Sequence, residues 1–264
     1  MEDELLKALQ TEAEDPAAEP SELSWIRFLI LSRGRARSMV SHKLFPFADI
    51  LVPESERKDY EKRLRRPVLI YPDEVRGLSV LRNWALDNFE NHVLVMIDDD
   101  IDHVSNQEFN LYTAMTNPDD LRRLFESTAR ITMDLDKSLF GYKTSRNIMF
   151  YDPTKPFRFT GWVGTVIGVV GRQFRFDEHN ILKVDADFSL QVLLQDRIIV
   201  QDNRYTFVSI KIKNRGGNST YRTKERVERE KMYLKKKWGK HINFDQKADG
   251  EAVRLNVKRT VTKK

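Results

Sequence analysis

The hydrophobic pattern of the chain becomes regular from Trp25 onward. Short, mostly apolar runs then alternate with longer segments in which apolar residues recur at helical spacing. Apolar runs bounded by polar or proline-containing loops are typical of strands that are buried on both faces. The first four predicted strands are residues 26–31, 48–52, 68–71 and 93–97, and the helices predicted between them are residues 54–64 and 78–89.

The second half of the chain is patterned less regularly. The predicted helices are residues 119–136, 187–195 and 221–238, and the predicted strands are residues 147–151, 163–170 and 197–200. Strands that alternate with helices favour βαβ units. The sequence therefore predicts the α/β fold class, with a single mixed, mainly parallel sheet flanked by helices.

The composition indicates a soluble protein without disulfides. Of the 264 residues, 40% are hydrophobic and 32% are charged, which suits one sizeable core beneath a charged surface. No apolar run approaches the roughly 20 residues that a membrane span needs, and residues 1–4 do not resemble a signal peptide. The chain has no cysteine, which excludes thiolate metal ligands and a cysteine nucleophile. We expect a cytoplasmic protein that does not associate with membranes.

Charge is distributed unevenly along the chain. Residues 1–24 carry eight acids and one lysine, which predicts a flexible acidic lead-in. Residues 211–264 carry 18 Lys and Arg against six Asp and Glu, and residues 241–264 are expected to form a basic tail. Clustered cations favour contact with nucleic-acid phosphates. A solvated helix with internal ion pairs is the alternative for residues 221–238.

Three consecutive aspartates, Asp98, Asp99 and Asp100, follow the fourth predicted strand directly. Ligands of open α/β sheets bind at the carboxyl ends of strands. Because side chains alternate along an extended chain, Asp98 and Asp100 are expected on one side and Asp99 on the other. Mg²⁺ or Mn²⁺ binds one or two carboxylates together with substrate phosphates. An acidic turn that caps a helix is the alternative, but the apolar strand ahead of the triplet favours a metal site.

The segment from Gly77 to Asp100 resembles the GT-A glycosyltransferase pattern. The pair Arg82-Asn83 opens a predicted helix ahead of a strand that carries an Asp-any-Asp motif. The resemblance implies a GT-A-like nucleotide-diphospho-sugar transferase over residues 25–240, with a nucleotide-binding half (25–104) and an acceptor half (105–240). It implies Asp98 and Asp100 as ligands of Mn²⁺ or Mg²⁺. The residues that it implies for nucleotide-sugar binding are Ser32, Arg33, Arg35, Glu54, Arg82, Asn83, Asp98 and Asp99.

More narrowly, the chain resembles the TET-associated glycosyltransferases of phage genomes. The resemblance lies in the arginine-rich loop 32–38, the motif at 52–56 ahead of Tyr60, the Asp-Asp-Asp-Ile run, residues 184–187 and a Gly-Gly loop before a basic helix. That family is associated with sugar addition to 5-hydroxymethylpyrimidines in DNA. The resemblance implies a nucleotide sugar, UDP-linked, as donor, 5-hydroxymethylcytosine or a related base in DNA as acceptor, and the host cytoplasm as location.

Two further acids, Asp185 and Asp187, stand just ahead of the apolar run 188–194. Transfer of a sugar to a hydroxyl needs a base for the acceptor proton, and a carboxylate is suitable. GT-A enzymes commonly place this base just before such a helix, so the resemblance implies Asp185 or Asp187. Capping of the helix is the alternative role for one of the pair.

Three other features are candidate parts of the site. Gly161 allows a ligand to approach the backbone closely, and Trp162 offers an aromatic face. Both are therefore expected in the wall around the donor sugar or the acceptor. The alternative is that Trp162 belongs to the hydrophobic core. His241 is a candidate third metal ligand by the GT-A resemblance. A polar loop and the helix start after it could close over the diphosphate. The candidates in this lid are Arg215, Gly216, Gly217, Asn218 and Arg222.

Three other functions compete with a DNA glycosyltransferase. A GT-A enzyme that modifies protein or glycan hydroxyls would share the donor site. A nucleotidyltransferase would also use a glycine-containing first loop and acidic metal ligands, but would release pyrophosphate. A DNA-binding relic of the fold would bind DNA with a steep salt dependence and would not bind a nucleotide sugar.

Overall fold

The computed structural model of the protein describes residues 25–108, 112–144, 151–210, 223–247 and 250–257. The first half forms four parallel strands and two helices. The strands are β1 (Ile26–Leu31), β2 (Asp49–Pro53), β3 (Leu69–Tyr71) and β4 (Val93–Asp98). Helix α1 (Arg57–Leu64) follows a 3-10 turn at Glu54–Glu56, and helix α2 (Leu78–Asn88) follows Gly77, whose φ of 100° suits glycine. These elements lie within a few residues of those that the sequence predicts.

The second half contributes six shorter or less regular strands and two helices. The strands are β5 (Ile101–Asn106), β6 (Thr113–Ala114), β7 (Leu139–Lys143), β8 (Phe157–Arg158), β9 (Val166–Val170) and β10 (Val200–Ser209). The helices are α3 (Pro118–Asp134) and α4 (Val184–Gln195). The sequence patterns identify both helices, but strands β5 and β7 were not predicted. The strand predicted at 147–151 lies largely outside the described residues.

The ten strands form one mixed sheet in the order β3-β2-β1-β4-β9-β7-β10-β5-β6, with β8 paired to β10. Strand β4 lies between β1, to which it is parallel, and β9, to which it is antiparallel. Strands β7 and β10 run parallel to each other, and β10 pairs antiparallel with β5. The predicted fold class, an α/β protein with a mixed sheet flanked by helices, is confirmed.

Hydrophobic residues cover both faces of the sheet. On one face, Phe125 of α3 packs with Phe45 and Phe207, with ring centroids between 5.6 and 6.2 Å apart. The other face packs against α2 and α4, where Phe176 stacks on Phe188 at 3.8 Å. This double burial explains why the strands of the first half appear as continuous apolar runs. Among the described residues, no helix is both long enough and apolar enough to cross a membrane.

The C-terminal region is more ordered than the sequence predicts. Helix α5 (Lys224–Trp238) leads through a 3-10 turn into a two-stranded hairpin of β11 (Ile242–Lys247) and β12 (Gly250–Leu255). Buried Ile242 packs with Leu190 of α4 and Leu234 of α5. The first part of the expected basic tail over 241–264 thus forms a hairpin that packs on α4 and α5.

Candidate active site

The aspartate triplet lies where two central strands end together. Leu31, the last residue of β1, pairs with Asp98, the last residue of β4. The chain after β1 is the first loop, residues 32–40, and its end is held on the triplet because the N–H groups of Val40 and Ser41 both donate to the carbonyl oxygen of Asp99. This arrangement brings the first loop and the three acids to one edge of the sheet.

Asp99 is buried and joins the triplet to the first loop. Its carboxylate accepts hydrogen bonds from Ser32 Oγ at 2.5 Å and from the Arg35 guanidinium at 2.7 Å. The Tyr60 hydroxyl lies 2.7 Å from Ser32 Oγ and accepts from the backbone N–H of Arg35. Burial raises the pKa of Asp99, and the contacts with Arg35 and Ser32 oppose that rise. Asp99 is therefore placed to support the loop rather than to meet a ligand.

Asp98 and Asp100 are more accessible than Asp99. Their side chains are 40% and 26% exposed, and Arg35 also lies 3.5 Å from Asp100. Removal of Asp98 from water by the surrounding protein raises its pKa to about 8; Arg82 opposes this rise, and the negative charges of Asp185, Asp100 and Asp99 add to it. The cleft therefore holds more negative charge than its arginines neutralise.

Arg82 connects the triplet to the second half of the chain. Its guanidinium is only 2% exposed, lies 2.5 Å from Asp185 and 3.9 Å from Asp98, and stacks on the Phe176 ring at 5.2 Å. Because one buried cation faces both carboxylates, Asp98 from β4 and Asp185 from α4 line the same cleft. Asp185 keeps 31% of its side-chain exposure. A Cβ at Gly164 would stand 2.9 Å from Asp185 Oδ2, so a larger residue at this position would displace the carboxylate.

Asp187 points away from that cleft. It is buried, accepts hydrogen bonds from Lys237 Nζ at 2.9 and 3.1 Å and from Trp238 Nε1 at 2.6 Å, and so fastens α5 to α4. Burial raises the pKa of Asp187, and Lys237 and Trp238 oppose this. Neither acid occupies the N-cap of α4, which is Lys183.

Three other residues that the GT-A resemblance implies for nucleotide binding lie in different surroundings. Arg33 donates to the carbonyl oxygens of Val75 and Asp73, which joins the first loop to the loop after β3. The Asn83 amide is turned inward, where it bonds both backbone groups of Phe176. Glu54 is exposed in the turn after β2.

The other predicted site residues are divided between the cleft and the periphery. Trp162 is exposed, has a ring atom 3.1 Å from the Cβ position of Gly164, and donates to the carbonyl oxygen of Val253 in the hairpin. Gly161 has a φ of 136°. His241 Nδ1 lies 3.1 Å from the carbonyl oxygen of Asn256, with no contact to the triplet in the described part of the chain. The predicted lid residues Arg215, Gly216, Gly217, Asn218 and Arg222 lie outside the described residues.

Two supporting residues were not anticipated. Tyr60 sits in a charged helix, and only its burial beneath the first loop shows its role. Ser41 Oγ donates to the carbonyl oxygen of Asp98 and accepts from Ile101 N–H, which fixes the turn that carries the triplet. Both depend on contacts with residues far away in sequence, for which the local pattern carries no signal.

The carboxylates of the site fit a divalent cation whose coordination is completed by oxygen atoms of the substrate. No group of three or more His, Asp or Glu residues within the described ranges forms a preassembled metal cage. Asp98 and Asp100 nevertheless offer accessible oxygen ligands beside excess negative charge, and a bound cation would oppose the burial that raises the pKa of Asp98. Mg²⁺ and Mn²⁺ sites often have only one or two carboxylates plus phosphate oxygens.

A cavity of about 360 Å³ lies beside the first loop and α1, lined by residues that include Gly34, Arg37, Glu56 and Tyr60. Its lining does not include the triplet, Arg82 or Asp185. Different residues of the first loop therefore line the cavity and contact the aspartate triplet.

A family model for TET-associated glycosyltransferases matches residues 26–217, which span β1 to β10, the triplet and Asp185. The chain belongs to this family. The recognition made from the sequence is thereby confirmed. No curated protein sequence matches the chain.

The solved structures that match the chain include two bacterial proteins. Glucosyl-3-phosphoglycerate synthase from Mycobacterium tuberculosis, in complex with Mn²⁺, UDP-glucose and phosphoglyceric acid, has a TM-score of 0.48 and 11% identity over 87% of this chain and 86% of that chain. S. aureus TarS 1–349 in complex with UDP-GlcNAc has a TM-score of 0.48 and 14% identity over 79% of this chain and 64% of that chain. This TET-associated glycosyltransferase therefore spans less than two thirds of the TarS fragment.

Proposed function

We propose that this TET-associated glycosyltransferase transfers a sugar from a nucleotide sugar, UDP-linked, to the hydroxymethyl group of a 5-hydroxymethylpyrimidine, such as 5-hydroxymethylcytosine, in DNA. The observation that carries the proposal is the position of buried Arg82 between Asp98 and Asp185. Arg82 holds Asp98, a carboxylate on the donor side, close to Asp185, a candidate base for the acceptor proton.

The donor side is formed by Asp98, Asp100 and the first loop. Asp98 and Asp100 would hold Mn²⁺ or Mg²⁺, which would neutralise charge that develops on the departing diphosphate. Asp99 and Tyr60 would hold the first loop, including Arg35, beside the donor. The cavity next to this loop falls within the ordinary size range of small-ligand pockets and would receive part of the nucleotide.

On the acceptor side, Asp185 is the proposed base. In a direct displacement, its carboxylate takes the hydroxyl proton while the acceptor oxygen bonds to the anomeric carbon and the bond to the diphosphate oxygen breaks. Arg82 orients Asp185 by its 2.5 Å contact with the carboxylate. Asp187 is excluded from this role because Lys237 and Trp238 enclose it.

The exposed face of α5 supports DNA as the acceptor. Lys235 and Lys236 near the end of α5 and Lys240 in the turn after it are exposed, and no ion pair joins them to another described residue. Lys237 on the same turn faces inward to Asp177 and Asp187, so it fixes the helix next to the segment that carries Asp185. Cations in this position would contact backbone phosphates and guide DNA toward the cleft.

Acceptor competition tests this proposal. With UDP-sugars and Mn²⁺ supplied, DNA that contains 5-hydroxymethylcytosine should stimulate UDP release, and the same sequence with cytosine should not. The cytosine DNA is the matched control, because its backbone is identical. Stimulation by glycans or proteins in place of DNA would reject the DNA acceptor while keeping the glycosyltransferase. Release of pyrophosphate instead of UDP would indicate nucleotidyl transfer.

A further inference from the structure

Trp162 presents an aromatic surface to solvent beside the acid cleft. Of the four tryptophans it alone is exposed, with 38% of its surface accessible, whereas Trp25, Trp84 and Trp238 are half-buried. A tryptophan face left in water gives up apolar burial that would stabilise the fold. The groups around Trp162 indicate what could cover that face.

The Trp162 ring lies close to the proposed base. A Cβ placed on Gly164 would stand 2.9 Å from Asp185 Oδ2 and 3.1 Å from Trp162 Cζ3. Both distances start from the same point, so the edge of the indole and the carboxylate oxygen are no more than about 6 Å apart. Because Gly164 has no side chain, this residue leaves the gap open. A hydroxymethyl group, which extends two heavy atoms from a pyrimidine ring, can span such a gap.

Hydrogen bonds on both sides of Trp162 fix the orientation of its ring. The indole N–H donates to the carbonyl oxygen of Val253 in the hairpin at 3.3 Å, and the backbone N–H of Val163 donates to Ser189 Oγ of α4 at 3.1 Å. Helix α4 also carries Asp185, so the ring and the proposed base are attached to the same element. A side chain held in this way loses little conformational freedom when a ligand covers it.

The segment that carries Trp162 also contacts the donor side of the cleft. The carbonyl oxygen of Thr165 accepts from the backbone N–H of Asp98 at 2.8 Å, at the end of β4. The preceding residue, Gly164, faces Asp185, and Trp162 stands two residues earlier, against the hairpin. Along this segment, the proposed base therefore lies between the donor aspartate and the exposed ring.

A cation accompanies the aromatic face. Arg158 of β8 is exposed, and no ion pair joins it to another residue in the described ranges. Its guanidinium lies over the backbone next to Trp162, because a Cβ on Gly161 would stand 2.9 Å from Arg158 Cζ. Proteins that bind unstacked nucleotides combine aromatic faces, on which the bases stack, with cations that follow the backbone. Trp162 and Arg158 offer one of each beside Asp185.

We propose that Trp162 stacks on the acceptor base after that base has left the DNA stack, and that Arg158 contacts the phosphate beside it. Within a duplex, neighbouring bases cover both faces of a base. A base that lies on Trp162 is therefore extruded from the helix or comes from a single strand. In this position its hydroxymethyl oxygen meets Asp185. This inference rests on the proposed DNA acceptor and adds the form in which the acceptor is bound.

Trp162→Leu and Trp162→Phe test the stacking contact. With UDP and Mn²⁺ present, Trp162→Leu should bind a single-stranded oligonucleotide that contains 5-hydroxymethylcytosine about 5- to 150-fold more weakly, the usual effect of losing one stacked aromatic contact. Trp162→Phe keeps an aromatic face and should recover most of this affinity, although it lacks the N–H that bonds Val253. Affinity for UDP-glucose with Mn²⁺ should not change in either variant.

Extrusion of the base is measured separately, in a duplex with 2-aminopurine next to 5-hydroxymethylcytosine. The fluorescence of 2-aminopurine rises when the neighbouring base leaves the stack. At saturating protein, with UDP and Mn²⁺, we expect this rise with the unaltered protein and Trp162→Phe, and a much smaller one with Trp162→Leu. Arg158→Gln should keep the rise at saturation, but its affinity for DNA should depend on salt with a slope lower by about one.

Trp84→Leu is the matched control. Trp84 packs against Tyr71 and Phe89, with ring centroids 6.1 and 6.2 Å apart, so the same substitution there should lower Tm and leave the affinity for DNA unchanged. Unchanged DNA affinity in Trp162→Leu, or a saturated duplex without a rise in fluorescence, would overturn the proposal. A loss of affinity for UDP-glucose alone would assign the ring to the donor and also overturn it. Failure of the unaltered protein to bind either DNA would reject the DNA acceptor, and this inference with it.

Discussion

Replacing Asp185 with Asn should lower the rate of sugar transfer by about 100- to 10,000-fold, the range that a general base commonly contributes. The amide has nearly the same shape and can still accept a hydrogen bond from Arg82, which lies 2.5 Å from the carboxylate. It cannot take the acceptor proton. We therefore expect a large loss in single-turnover rate at saturating donor and acceptor, with a small change in KM for the donor and in Tm.

The matched variant is Asp187→Asn, two residues further along the same helix. Asp187 holds Lys237 and Trp238 and has no contact with Arg82 among the described residues. Loss of this buried, charged interaction should remove about 1.5–3 kcal/mol of stability. That corresponds to a fall in Tm of roughly 3–12 °C for a chain of this size. Transfer below the melting range should persist. The opposite pattern, inactive Asp187→Asn and active Asp185→Asn, would assign the base to Asp187.

Replacing Asp100 with Asn should lower the transfer rate by about 100- to 1,000-fold, the usual cost of losing one group that stabilises transition-state charge. Asp100 is the accessible carboxylate beside Asp98, and its other neighbour is Arg35 at 3.5 Å, a distance too long for a strong ion pair. Its loss should therefore affect cation binding more than folding. We expect activity to require a higher Mn²⁺ concentration and UDP to bind less tightly in the presence of Mn²⁺.

Asp102→Asn is the control for this second substitution. Asp102 is an exposed aspartate two residues further along, on β5, so its replacement makes the same change in net charge close to the cleft. It should leave the Mn²⁺ dependence of transfer unchanged. If Asp100→Asn and Asp102→Asn show the same Mn²⁺ titration as the unaltered protein, Asp100 does not bind the catalytic cation.

The sequence predicted the first half of the fold well because its signals are local. Strand β1 has the predicted limits, and β4 differs by one residue, since buried parallel strands are continuous apolar runs. Strand β5, with the sequence Ile-Asp-His-Val-Ser-Asn, lacks such a run because polar residues occupy one of its faces. The hairpin of β11 and β12 was missed for a similar reason, because charged residues interrupt its alternating apolar positions.

Candidate site residues could be found from the sequence, but their roles could not be separated. Asp185 and Asp187 share a motif, yet residues two apart on a helix point in different directions. Which of them faces the cleft depends on Arg82, about 100 positions earlier, and on Lys237, about 50 positions later. In the sequence, Lys237 is indistinguishable from the other cations of a basic helix. In the structure, it forms ion pairs with Asp177 and Asp187.

The most direct test of the proposed function is mass spectrometry of nucleosides. DNA that contains 5-hydroxymethylcytosine would be incubated with Mn²⁺, a pool of nucleotide sugars and either the unaltered protein or Asp185→Asn, and then digested. The account predicts a hexose, pentose or N-acetylhexosamine mass on the modified nucleoside with the unaltered protein, and almost none with the variant. An unmodified nucleoside in both samples, while UDP-sugar is still consumed by the folded protein, would contradict the DNA acceptor.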